Sequence, residues 1–491
     1  MAHIPRLDHD ILSMIAREIS SLVANNHYQL GQRSLLYLAL TCRSMRELVI
    51  PRFLFARVSI TSHPALLSFC RCITAPNSEA GDAVRHLYVD LDHNGGRIPG
   101  DLPSEELVGA LEKMHQLLSL QINAFAKFYA IEPRIAKAVI RHTTYRLDTL
   151  CLDDCSLPSL RLLRDLIGLR FLSISLQSRS RAGVLTSDSP LGVIIMNSRC
   201  TLEELRLGNI SSWQLYGQPL DTSDTSIEGE IYVWPHIHTL ALGGPQAGLL
   251  EELDFSYSFP SIRCFEHSFH SSEWAMRACN RLFLGQLESL VGGWPEAKAA
   301  LDAGAKLRRV SIRSSSPFPG SESGFAFHHY LPSCLRSLSV YIPLRGSPDY
   351  LRQLSLAAPN ITYLDITFVV KRRDDRFKEI MERNSVSLSR LPLTLLALDC
   401  TGPAVERGTT PQSPLQRQMH AFSTAFVASA PELCPTLQII MILYRSWQKF
   451  FHGGVGRFQE MGDLCGMNHF LLLHEWQWWE GNTERINGVC A

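Results

Sequence analysis

The chain has 491 residues, too many for one compact core, so it must divide into domains or grow as a repeat array. Hydrophobic residues make up 45% and charged residues 19%, a balance that excludes a mostly disordered chain. Lysine plus arginine equals aspartate plus glutamate, 47 each, which removes any global basic field for holding nucleic acid, and no run of 18 or more uncharged apolar residues indicates a membrane span.

The first residues, MAHIPRLDHDILSMIAREI, carry acids inside their apolar segment and no small-residue cleavage site, so they do not read as a secretory signal. The 13 cysteines are odd in number, scattered, and mostly set in apolar surroundings, which suits buried reduced thiols. The expected compartment is cytoplasmic or nuclear.

Residues 1–60 read as three short helices. Ile11, Leu12, Ile15, Ile19, Leu22 and Val23 form an apolar stripe at helical period, with Asp8 as N-cap and Asp10 in the first turn. The polar run from Asn25 to Gln29, then Gly31, ends that helix, and Ser34 can cap the next. Leu35, Leu38, Cys42, Met45, Leu48 and Val49 supply the buried side of the second and third helices, up to Pro51. So little apolar surface makes a marginal domain, completed either by a partner or by packing on the rest of the chain. The residues leave docking module and solenoid cap equally open.

A resemblance bears on that choice. The run from Ile4 to Ile19, followed by LLYLALTCRSMRELVIPRFLFARVSI, resembles an F-box of the fungal type. Pro5 and Leu7 stand at the family's leading turn, and Ile11, Leu12 and Ile15 at its first-helix apolar positions. Leu38, Leu40, Cys42 and Arg43 match its next block, and Leu48, Pro51, Leu54 and Phe55 its tail. The resemblance implies that these apolar residues dock on the Skp-type adaptor of a cullin-based SCF ubiquitin ligase.

Residues 61–83, with Pro64, Pro76 and Gly81, read as a connector. From 84 to 445 a unit recurs in which apolar residues are separated by two residues and then by one. Its copies are Val84/Leu87/Val89, Leu117/Leu120/Ile122, Leu147/Leu150/Leu152, Leu169/Leu172/Ile174, Leu202/Leu205/Leu207 and Ile237/Leu240/Leu242. Later copies are Leu307/Val310/Ile312, Leu335/Leu338/Val340, Ile361/Leu364/Ile366, Leu393/Leu396/Leu398 and Leu437/Ile440/Ile442. This is the strand of a leucine-rich repeat, at spacings that fit strand–helix units. Two intervening copies, Ile262/Phe265 and Leu287/Leu290, lack an apolar third position.

Helices are expected between the strands: Ser104 to His115 with Ser104 as cap, Leu157 to Gly168 between proline and glycine, and Ser347 to Asn360 running into the next strand. The inserts at 221–230 and 314–324 and the Pro-rich stretch from Thr401 to Pro414 read as loops. Residues 446–491, with Trp476, Trp478 and Trp479, read as a cap for the open end of the array.

No phosphate loop, dinucleotide fingerprint or nucleophile elbow occurs. Cys70/Cys72 and Cys151/Cys155 lack the second half of a zinc site, His236/His238 has no cysteine or carboxylate at metal spacing, and His328 and His329, being adjacent, point apart in any regular structure. No catalytic residue, metal or cofactor is therefore expected. The expected fold class is α/β: a three-helix F-box-like module, then an irregular repeat solenoid with a parallel sheet and outer helices. The expected function is that of a non-catalytic substrate receptor. It would bind an adaptor, and through it a cullin, at one end and an unidentified protein on a concave sheet, with neither nucleic acid nor membrane as partner. The alternative is a repeat scaffold with no ubiquitin role, in which residues 1–60 cap the solenoid.

Overall fold

The computed structural model describes residues 9–24, 28–91, 102–143, 146–177, 184–210, 212–213, 215, 232–243, 254–268, 272–312, 330–344, 347–369, 377–399, 414–444, 447–454 and 457–461. Asp8, the inserts at 221–230 and 314–324, His328/His329, residues 401–413 and the three C-terminal tryptophans lie outside them. The chain divides into two compact units, one within residues 1–262 and the other within 263–268 and 272–483.

The first unit opens with helices α1 (His9–Ala24), α2 (Tyr28–Thr41) and α3 (Arg43–Val49). Its strands are β1 (Arg57–Ile60), β2 (His86–Val89), β3 (Ser119–Ile122), β4 (Thr149–Cys155), β5 (Phe171–Leu176), β6 (Val184–Leu185), β7 (Glu204–Gly208), β8 (Ser212–Trp213) and β9 (Thr239–Leu242). All but β6 and β8 pair in sequence order, each parallel to the next. β6 and β8 form a small parallel ladder of their own. In the second unit β10 (Cys264–His267), β11 (Ser289–Gly292), β12 (Arg309–Ile312), β13 (Ser337–Pro343), β14 (Tyr363–Val369), β15 (Leu395–Asp399) and β16 (Ile439–Tyr444) are likewise parallel. β17 (Trp447–Gly454) and β18 (Arg457–Met461) then add antiparallel, extending the sheet where a cap was expected.

One hydrogen-bond device sets the phase of both units. The residue before a strand and the strand's first residue both donate to a single carbonyl of the preceding repeat. Arg85 and His86 donate to Ala56, Leu118 and Ser119 to Arg85, Arg308 and Arg309 to Glu288, and Gln438 and Ile439 to Thr394. The repeat period is thus written into the backbone as well as into the leucines. Every apolar position of the eleven complete copies is buried. Register stacks Leu87, Leu120, Leu150, Leu172, Leu205 and Leu240 in one row, and Leu290, Val310, Leu338, Leu364, Leu396 and Ile440 in another. Each such side chain contributes about 1.5–3 kcal/mol on leaving water. The result is a solenoid-like α/β architecture of strands and intervening helices.

Ile262, Phe265, Leu287 and Leu290 are buried in phase too, so the two imperfect copies are repeats whose third position holds His267 and Gly292. The array also starts before Val84. Val58 pairs with Leu87 on β1, and 61–83, expected as a connector, holds the helix His63–Thr74.

The helix Leu157–Leu163 shows how local sequence sets its boundaries. Ser156 accepts from the Ser159 backbone N–H, and the Ser159 hydroxyl accepts from the Ser156 N–H, closing a reciprocal cap ahead of Pro158. Gly168, at φ +71°, turns the chain back toward β5, a left-handed conformation that glycine adopts without strain. Ser156→Ala is expected to cost about 1 kcal/mol in denaturant unfolding; a change within experimental error would show that the cap is idle. Two expected caps differ from this. Ser104 is the first helical residue after Pro103, and Ser34 lies inside α2, which starts at Tyr28.

The strand positions that alternate with the leucines distinguish the units. In the first, His86, Ser119, Thr149, Phe171 and Glu204 form one row across β2–β7, each half-exposed. In the second, the matching row of Ser289, Arg309, Ser337, Tyr363, Leu395 and Ile439 is buried. The half-exposed face therefore runs from β2 to β7 and closes at β9, where Thr239 and Ala241 are buried, while in the second unit β13 and β14 keep half-exposed positions at Ser339, Tyr341, Asp365 and Thr367. Strands such as LLALD and IIMILY are apolar at consecutive positions, as strands buried on both faces must be.

Candidate protein-docking surfaces

The three N-terminal helices close on a core of their own. Ala16 of α1, Leu35 and Ala39 of α2, and Met45, Leu48 and Val49 of α3 are buried together, with Leu12, Ile19, Leu38, Ile50, Phe53 and Leu54 packed against them. Alanines at the α1–α2 contact let the two backbones approach closely, so the buried stripe of α1 runs through Leu12, Ala16 and Ile19. Cys42, expected inside, is exposed. Its extended backbone (φ −160°, ψ 168°) breaks α2 from α3, which turns its side chain outward.

The apolar groups outside this core are large. Ile11, Met14 and Ile15 recur at three- and four-residue spacing on α1, with Met14 62% exposed. Leu36, Tyr37 and Leu40 do the same on α2, where Tyr37 is 66% and Leu40 69% exposed. Apolar groups this large and this exposed, on two neighbouring helices, make this face a candidate docking surface. Glu47 and Arg43, paired on α3 at 2.7 Å, add a charged margin.

The predicted docking residues therefore divide. Ile11, Ile15, Leu40 and Cys42 are exposed and can meet a partner, whereas Leu48 is buried and Leu12, Leu38 and Leu54 pack on the module's core. Phe55 is half-buried, and Pro51 falls in the wide turn Ile50–Leu54 that leads into β1. Pro5 and Leu7 lie outside the described residues. Met14, Leu36 and Tyr37 are not among the residues that the sequence pattern singles out. Their signal is nonetheless present, as apolar residues lying off the buried stripe at helical spacing.

A second surface is the open sheet face of the first unit. Tyr88 donates to Asp90 at 2.8 Å, and burial followed by this carboxylate pushes its hydroxyl pKa up. His86 is pushed down to about 4 by burial, then by Arg57 and Arg85. Farther along, Arg170 holds Glu203 through two guanidinium nitrogens at 2.7–2.9 Å, and Arg206 pairs with Glu204.

The residues weighed for metal chemistry are dispersed. His236 and His238 are exposed, and His238 contacts the Thr239 hydroxyl at 3.1 Å. Burial pushes the Cys70 and Cys151 thiols up to about 12, which keeps them protonated. Among the described residues no group of three or more His, Cys, Asp or Glu side chains could hold a metal ion. No helix among them is long and apolar enough to cross a membrane.

One buried polar pair lies in the second unit. Glu296, 3% exposed, stands 4.0 Å from Nε2 of His267, itself 1% exposed. Burial raises the Glu296 pKa, and backbone N–H groups of Glu296 and Gly293 act against that rise. The carboxylate sits in the first turn of the helix Trp294–Asp302, where the exposed N–H groups and the helix dipole favour it. Its role there is to secure the helix start.

Compared with known proteins, the chain matches no family model and no curated protein.

Proposed function

We propose that the chain is a non-catalytic receptor subunit of an SCF-type ubiquitin ligase. The N-terminal helices act as an F-box that docks a Skp-type adaptor, and the solenoid, of leucine-rich-repeat kind, carries a protein substrate. The observation that carries this reading is the pair of exposed apolar stripes on a helical module that already has its own core. Ile11, Met14 and Ile15 with Leu36, Tyr37 and Leu40 lie outside that core, so their exposure to water is a cost that a partner would relieve.

The test separates docking from folding. Leu40→Asp and Ile15→Asp alter exposed positions and are expected to leave the thermal midpoint within a few degrees, because surface substitutions shift stability by only about 0.5 kcal/mol. Each is expected to reduce recovery of a Skp-type adaptor by at least about tenfold in co-purification. Leu12→Asp strikes the core and should unfold the module as well. Recovery of the adaptor unchanged by Leu40→Asp, or no adaptor with the unaltered chain, defeats the proposal.

The scaffold reading keeps one specific support. β1 follows the helices directly and its neighbouring Ala56 carbonyl accepts the first N–H pair of the array, so the module is continuous with the sheet. A cap of that kind predicts a well-folded chain that captures no adaptor.

A further inference from the structure

We propose that the docking face of the N-terminal helices is redox-gated, with oxidation of the Met14 thioether by a peroxide releasing the partner. This rests on reading that face as the adaptor surface and adds its regulation.

The methionines are unequally placed. Among the described residues Met45, Met114, Met381 and Met441 are buried and Met196 is half-buried, whereas Met14 is 62% and Met276 63% exposed. An oxidant dissolved in water therefore meets these two side chains first. Met276 belongs to the second unit, in the short turn Glu273–Met276. Met14 stands between Ile11 and Ile15 on α1, on the stripe that the module's core leaves uncovered.

That placement separates docking from folding. α1 packs through Leu12, Ala16 and Ile19, and the methionine within the module's core is Met45, 3% exposed. A polar group at Met14 thus leaves the core contacts in place, but it faces whatever covers the stripe. Hydrogen peroxide transfers one oxygen atom to the thioether: the O–O bond breaks, an S=O bond forms from a sulfur electron pair, and water leaves. The product is a polar acceptor where an apolar group stood. Seating it against an apolar partner strips its water with no replacement donor, and docking weakens accordingly. The sulfoxide is reducible enzymatically, so the change is reversible. Cys42 is exposed just ahead of α3, and its thiol is the competing target.

The experiment treats the full chain with hydrogen peroxide and removes the oxidant. Recovery of a purified Skp-type adaptor is then measured beside the sulfoxide content of each methionine by peptide mass. Met14 and Met276 should convert ahead of Met45, the thermal midpoint should stay within a few degrees, and recovery should fall at least about tenfold. Methionine sulfoxide reductase should restore it. The ratio of recovery with and without peroxide should not change in Met14→Leu, whatever that variant's own affinity. It should fall as in the unaltered chain in Cys42→Ser and in Met276→Leu. Met14→Gln, polar without oxidant, should weaken docking by itself. The proposal is overturned if Met14 converts no faster than Met45, if Met14→Leu shows an equal fall, or if Cys42→Ser abolishes the fall. Full recovery from a chain whose Met14 is converted overturns this proposal alone, whereas no adaptor on the untreated chain overturns the docking reading and this one with it.

Discussion

Gly292→Ala is expected to lower the stability of the second unit by about 3 kcal/mol, and His267→Ala in the same chain to recover most of that loss. Both residues occupy the third position of their repeats, where the eleven regular copies place leucine, isoleucine or valine and the matching row is packed tight. A methyl group on Gly292 would overlap Nε2 of His267 and lie within 3.0 Å of two ring carbons. The ring has no room to yield. It stacks on Phe265 at 5.2 Å, meets the edge of Trp274 at 5.5 Å, and faces Glu296 from the next helix. The backbone of Gly292 is not in the left-handed region, so the glycine supplies space and not conformational freedom. Four urea titrations form the cycle: the unaltered chain, each single variant and the double. His267→Ala alone should cost about 2 kcal/mol as a cavity, and the double less than either single variant, because the new methyl fills part of that cavity. Additive losses would show that the two sites are independent.

This pair also shows what the sequence could disclose. Eleven strands are legible because an apolar residue at the first, fourth and sixth positions satisfies burial one residue at a time. The two copies at Ile262 and Leu287 look defective because their compensation is pairwise: a ring in one repeat fills the space that a missing side chain leaves in the next. No single-strand pattern contains that information. The N-terminal helices pose a different difficulty. α1 carries Ile11, Leu12, Met14, Ile15 and Ile19, so its apolar residues wrap around the helix, and pattern alone favours the bulkier ones as core. Ala16 and Ala39 are in fact the buried residues at the α1–α2 contact, because small side chains allow close approach. Ile11 and Ile15 are thereby left outside, where a docking role needs them. The closed strands β15 and β16 are legible as doubly apolar runs, while the open face across β2–β7 follows from alternation. Which charges gather on that face depends on register between repeats about 30 residues apart, and register is a property of the fold.

Acidification from pH 7 to pH 5 is expected to destabilise the first unit before most of its carboxylates titrate. His86 has its pKa depressed to about 4 by burial and by Arg57 and Arg85, and burial likewise lowers that of His142. A histidine depressed in the folded state binds its proton mainly when unfolded. Its stabilising contribution is therefore complete above about 6.5, the unfolded value, and is lost as pH falls toward the folded one. At pH 5 His86 alone withdraws about 2 kcal/mol, from about 1.4 kcal/mol per unit over the interval below 6.5. The geometry of His142 accounts for its direction. Nε2 donates to the Leu111 carbonyl at 2.9 Å, which fixes the tautomer and leaves Nδ1 as a buried lone pair with no hydrogen-bond partner. Protonation there would place an N–H and a charge in a dry interior, beside Arg141 and His115, which oppose it further. Urea midpoints taken between pH 7 and 5 should fall in the unaltered chain and stay nearly level in His86→Asn/His142→Gln, even though that variant starts lower. An equal fall in both would assign the acid sensitivity to other groups. Glu296 adds nothing in the same direction: its raised pKa makes the ionised form the costly one, so lowering the pH toward its pKa relieves the second unit while it strains the first.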